Sequence, residues 1–198
     1  YKSADGWSDY ADRIQAIPTP GFINGHAYVD MGDGLKWATC NIGANSPEEY
    51  GDYFAWGETV PYYESISENG TVTWKEGKSS GYDWSSYTKF TTDNGASFTK
   101  YTGNDYSTLQ SDDDAATANW GGTWRIPTKE EWTTLKDNYS WTWTTENGVP
   151  GQKVTSNING NSIFLPAAGN FNGTTRKNLK TKGLYWDSTL FYSDMIES

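Results

Sequence analysis

The 198 residues amount to one domain, yet only 28 are Leu, Ile, Val or Phe and the formal charge is −10, a combination that ordinarily marks disorder. Eleven Trp and fourteen Tyr reverse that inference, since each such side chain can bury roughly 150–250 Å², so the core must be aromatic. With 25 acidic residues against 15 basic, one Cys and one His, the composition argues against nucleic acid, an anionic membrane surface, an internal disulfide and a His-based catalytic relay.

Taken in chain order, residues 1–20 read as a leader segment and linker. Residues 7–17 suit a short amphipathic helix, and Ile17-Pro18-Thr19-Pro20 reads as extended because each Pro restricts its predecessor. The first residues do not form a signal peptide, so either the protein stays inside the cell or its export signal lies elsewhere. No apolar run approaches the roughly 18–20 residues of a membrane span, so no membrane insertion is expected. The folded body is expected to be residues 21–198. Residues 26–31 and 35–40 flank a Gly-Asp-Gly turn and predict a hairpin. Residues 50–57 (YGDYFAWG) predict a buried strand or tight loop. Residues 60–110 read as a loop-dominated insertion with short strands near 71–74 and 87–90.

The second half carries clearer signals. Ser111 and the acidic run Asp112, Asp113, Asp114 before Ala115 predict a helix start, with carboxylates at the positive end of its dipole. Thr128 and Glu131 form a capping-box pattern, and Trp132 with Leu135 supplies a buried i, i+3 face. Asn159-Gly160 signals a type I′ turn between strands at 152–158 and 161–166.

Candidate sites are few. His26 and Cys40 lack neighbours that would make them a base, ligand or nucleophile, so both read as structural. Asp112, Asp113 and Asp114 are the weak candidates for a structural Ca²⁺. Calcium needs six to eight oxygens, which makes capping on a solvated loop the simpler account. No other cofactor is implied. Arg125, one of three Arg, reads as a buried structural cation paired with a carboxylate and stacked on indole. Trp141 and Trp143 share a face if 140–144 is a strand, and could stack on a sugar or belong to the core. A hydrolase would have to draw on carboxylates such as Asp52, Glu58 or Glu131, and nothing in the sequence pairs any two of them.

Several segments together resemble the Fibrobacter succinogenes major paralogous domain family. His26-Ala27-Tyr28-Val29-Asp30-Met31-Gly32 with Leu35-Lys36-Trp37-Ala38-Thr39-Cys40 resembles its opening. The block at 50–59, Gly122-Thr123-Trp124-Arg125-Ile126-Pro127-Thr128, Asn161-Ser162-Ile163-Phe164-Leu165-Pro166-Ala167-Ala168-Gly169 and Gly183-Leu184-Tyr185-Trp186-Asp187-Ser188-Thr189 follow in order. The resemblance implies an α+β, C-type-lectin-like fold with twisted antiparallel sheets, two short helices and long loops. It also implies export to the cell surface, as a surface protein or lipoprotein of Bacteroidetes. The expected role is non-catalytic: adhesion or recognition, with a glycan or a protein as partner; the alternative is a structural domain of a surface or pilus assembly. Family members continue past the last matched block into further strands, so another segment or an unusual ending is expected to close the sheet here. By the same resemblance Tyr185, Trp186 and Tyr192 lie near the ligand-facing end. Trp186 is expected in the core, and Tyr185, Asp187 and Tyr192, with Trp141 and Trp143, are the candidate ligand contacts.

Overall fold

A computed structural model describes residues 20–82, 100–101 and 107–189, and the backbone of 195–197. The fold is α+β, with antiparallel strand pairing throughout its named strands and two helices among the described residues. Strands β1 (Gly21–Ile23), β2 (His26–Asp30) and β3 (Lys36–Ala38) form one three-stranded sheet. The expected hairpin is β2–β3, closed through Gly32 and Gly34, both at positive φ. Strands β4 (Tyr63–Ile66) and β5 (Val72–Trp74) form a small ribbon within the polar middle region. The segment around 87–90 and the helix expected at 7–17 lie outside the described residues.

Helix α1 (Ala115–Trp120) follows a 3-10 turn at Ser111–Asp113, and Asp114 caps it by accepting from Thr117 N–H at 2.9 Å. Helix α2 (Lys129–Asn138) starts as the sequence predicts. Thr128 Oγ1 accepts from Glu131 N–H, and the Glu131 carboxylate accepts from Thr128 N–H in return. Its buried residues Trp132 and Leu135 pack into a core with Met31, Trp37, Tyr139, Val154, Ile163 and Leu165. Among the described residues no helix is long and apolar enough to cross a membrane.

A second three-stranded sheet is built from β6 (Tyr139–Glu146), β7 (Val149–Ser156) and β8 (Ser162–Pro166). Here the turn chemistry differs from expectation. The two-residue turn is Asn147-Gly148, with both residues at positive φ as a type I′ turn requires. Asn159-Gly160 instead sits in a longer loop in which Gly160 N–H donates to Ser156 O and Gly160 alone of the pair has positive φ. Both dipeptides carry the same local signal, but the second loop is held open by side chains: Ile158 N–H donates to Ser156 Oγ at 3.1 Å and the Asn159 side-chain amide to Asp30 O at 2.9 Å. Strands β9 (Asn170–Asn172) with β10 (Thr175–Lys177), and β11 (Leu184–Trp186) with β12 (Met195–Glu197), complete the described sheet structure.

Residues 50–57 form a tight loop and not a strand. Asp52 N–H donates to Ile42 O at 2.7 Å, and the Asn41 side chain donates to Tyr50 O at 3.0 Å. Gly51 sits at φ 69°, where a Cβ would lie 2.4 Å from Ile42 O, so the close approach requires glycine. The loop thereby delivers Ala55 and Trp56 to the interior, against different aromatic clusters.

Candidate functional site

Elements from both halves of the chain line a partly open cavity of about 720 Å³. That size falls within the roughly 300–1,000 Å³ of small-ligand sites and far exceeds the voids of an ordinary packed core. Strand β3 supplies Trp37 and Ala38, the 50–57 loop supplies Tyr50, Tyr53, Phe54 and Trp56, and α1 supplies Trp120. Trp124, Trp132, Phe164, Phe171, Tyr185 and Trp186 complete the aromatic wall. The rings are held by their polar tips. Trp56 Nε1 donates to Asp187 O at 2.9 Å, Trp186 Nε1 to Phe54 O at 2.9 Å and Trp132 Nε1 to Trp186 O at 3.2 Å. Tyr53 and Tyr185 donate their hydroxyls to Ala168 O and Pro166 O at 2.7 and 2.8 Å. With these donors bound to backbone, the rings are locked in orientation.

Two polar groups among the lining residues are not so satisfied. The Trp37 indole N–H and the Tyr50 hydroxyl are buried without a hydrogen-bond partner among the described residues. Burial pushes the Tyr50 hydroxyl upward in pKa against the opposing pull of the Arg176 guanidinium. The wall is therefore a rigid, largely aromatic surface with the charged side chains of Lys36, Asp52, Arg125 and Glu131 also along the lining, an arrangement suited to recognition by shape, apolar contact and a few polar groups.

The remaining candidate residues take structural places. Asp187 is 1% exposed, so it is not the surface contact expected of it. Its carboxylate accepts from Thr189 N–H at 2.7 Å and turns the chain out of β11. Tyr185 lines the cavity, while Tyr192 lies outside the described residues. Trp141 and Trp143 do share a β6 face but part company: Trp141 packs on the core and donates to Leu135 O at 2.9 Å, whereas Trp143 is 47% exposed.

Asp113 and Asp114 are buried, which corrects the solvated loop expected around them. Asp113 accepts from Lys100 Nζ and Tyr101 OH, each at 2.6 Å, and both Asp114 oxygens accept backbone N–H groups, from Thr117 and Ile126. With those oxygens occupied and Asp112 exposed, the run does not converge on a cation site, and no cluster of three or more His, Cys, Asp or Glu side chains does among the described residues. Arg125 is exposed, not buried, and grips Glu131 through two bonds of 2.7 and 2.5 Å. Those bonds hold Glu131 below the usual carboxylate range, as a fixed anion. Asp52 lines the cavity with Glu131 and accepts from Tyr63 OH at 3.1 Å, while Glu58, half-buried just past the 50–57 loop, does not line it. His26 stacks on Trp120 at 4.5 Å, and burial pushes the Cys40 thiol up, away from its nucleophilic form.

Sequence reasoning missed the cavity wall itself. Tyr50, Tyr53, Phe54 and Trp56 were legible as a buried aromatic run but not as one side of a space. Compared with protein-family models, curated proteins and solved structures, the chain matches none.

Proposed function

We propose that the chain is a non-catalytic recognition module of an exported cell-surface protein or lipoprotein, with a C-type-lectin-like arrangement of its α+β elements. Its ligand, a glycan or a protein segment, seats in the aromatic cavity. The observation that carries this reading is the cavity: about 720 Å³ walled by Trp and Tyr rings whose polar tips are tied to backbone. A space of this size, partly open to solvent and lined by fixed rings, matches the concave, mostly apolar form of small-ligand sites. Aromatic faces suit sugar rings and apolar side chains alike. The resemblance of the 26–59, 122–128, 161–169 and 183–189 blocks to the surface-protein family supports the same direction. Against a carboxylate-dependent hydrolase stands the locking of Glu131 by Arg125.

The test is a glycan array together with a surface-protein pull-down, each run with the wild-type chain and with Asn172→Trp. Asn172 is exposed and lines the cavity, so an indole there narrows the space without disturbing a buried contact. The expected result is a ligand retained by the wild type and bound at least tenfold more weakly by the folded variant. Silence in both assays, or binding that the variant leaves unchanged, would contradict the reading.

A further inference from the structure

Strand β8 combines two properties that rarely coincide. It stands at the edge of its sheet, yet Ile163, Phe164 and Leu165 are all buried, the pattern of a strand inside a sheet with both faces covered. The ladder shows which backbone groups are left over. Ser156 N–H donates to Asn161 O and Ala167 N–H donates to Pro150 O, each at 2.8 Å. With the register of β7 and β8, these bonds turn the backbone groups of Ile163 and Leu165 toward β7 and those of Ser162 and Phe164 away from it. Phe164 is 5% exposed, and its N–H and C=O have no partner among the described residues.

The same alternation holds on β3. Thr39 N–H donates to Ala27 O and Met31 N–H to Leu35 O, which turns Lys36 and Ala38 away from β2 and leaves their backbone groups unpaired among the described residues. Lys36, Ala38 and Phe164 all line the one cavity. Residues of two open strand edges thus lie along the same aromatic-walled space.

We infer that the cavity accepts an extended polypeptide segment of a partner chain, which adds as a β-strand to the β8 edge. The inference rests on the recognition reading above and names the partner's chemistry. A strand supplies alternating N–H and C=O groups at the repeat that the Ser162–Phe164 edge offers, which a sugar ring does not. Because β8 is covered on both faces, the incoming segment is apolar at successive positions beside Phe164, rich in Val, Ile or Phe. The open edge runs from Ser162 to Phe164, because Pro166 has no N–H and its C=O already accepts from Tyr185 OH and Ala168 N–H, so a paired stretch of about three residues, about 10 Å, is enough.

The probe is a phage-displayed library of random dodecapeptides panned on the whole chain, followed by synthesis of the enriched sequences. Enrichment of apolar, β-branched segments is expected. N-methylation of alternate backbone nitrogens should weaken them at least tenfold, because it removes the strand's donors and leaves its side chains. Amide exchange at Phe164 should slow at least tenfold on binding. The inference is overturned if no peptide enriches, if N-methylated peptides bind equally, or if the Phe164 amide is already fully protected in the chain alone, which would mean that another part of the chain covers the edge. A glycan bound in the cavity without any peptide would sink this inference and leave the recognition reading standing; loss of both would remove both.

Discussion

Asp114 shows how one side chain can organise a local structure. One carboxylate oxygen caps α1 at Thr117 N–H and the other accepts from Ile126 N–H at 2.8 Å, tying the helix start to the segment that leads into α2. Asp114→Ala removes the cap and strands a partly buried amide, so unfolding in urea is expected to show a loss of about 2–4 kcal/mol with an unchanged m-value. A loss under about 0.5 kcal/mol would mean that the loop reorganises freely. Capping at Asp114 was legible because it is a local event, written within four residues. The burial of Asp187 was not, since the indole that covers its carbonyl comes from Trp56, 131 residues away. Arg125 was half legible. Its carboxylate partner lies six residues on, but whether the pair would be buried depends on packing that no local pattern records.

At the scale of elements, hairpins and helices with their own turn or cap chemistry were readable, as with β2–β3 and α2, because propensity and hydrophobic period agreed. The misplacement of the type I′ turn at Asn159-Gly160 shows the limit: the same dipeptide closes β6–β7 tightly at Asn147-Gly148 and loops loosely before β8. Strand-to-strand distance adds a requirement that sequence conceals. At Gly151 on β7 a Cβ would lie 2.4 Å from Leu165 O and 2.6 Å from the Phe164 ring. Gly25, at φ 83°, has open space around its missing Cβ. Gly151→Ala is therefore expected to cost about 1–3 kcal/mol through overpacking of β7 on β8. Gly25→Ala should cost about 1 kcal/mol through backbone strain alone. Thermal midpoints of the two variants check the order, and Gly25→Ala as the more damaging change would contradict this packing of the sheet.

Across the whole molecule, the aromatic core substitutes for the missing aliphatics, and it leaves a signature in alkaline solution. Burial, reinforced by the Asp33 and Asp30 carboxylates, pushes the Tyr139 hydroxyl up to about 12, and burial raises Tyr63 and Tyr185 as well. An unfolded Tyr releases its proton near a pKa of about 10. Between that value and the folded one the unfolded chain holds fewer protons, so stability falls as pH rises. The contribution is complete below about pH 10 and is lost through about pH 12, which denaturation at stepped pH with tyrosinate absorbance would follow; native tyrosines that all titrate near 10 would contradict it. That the core would be aromatic followed from composition alone. That the rings would enclose a space did not, because a cavity is a relation among distant segments: β3, the 50–57 loop, α1, β8 and β11. The most direct measurement is equilibrium binding of the captured glycan or protein segment to the wild-type chain and to Asn172→Trp, with matched thermal midpoints. A loss of at least tenfold in the variant is expected, and equal affinity would place the ligand elsewhere and contradict the cavity as the site.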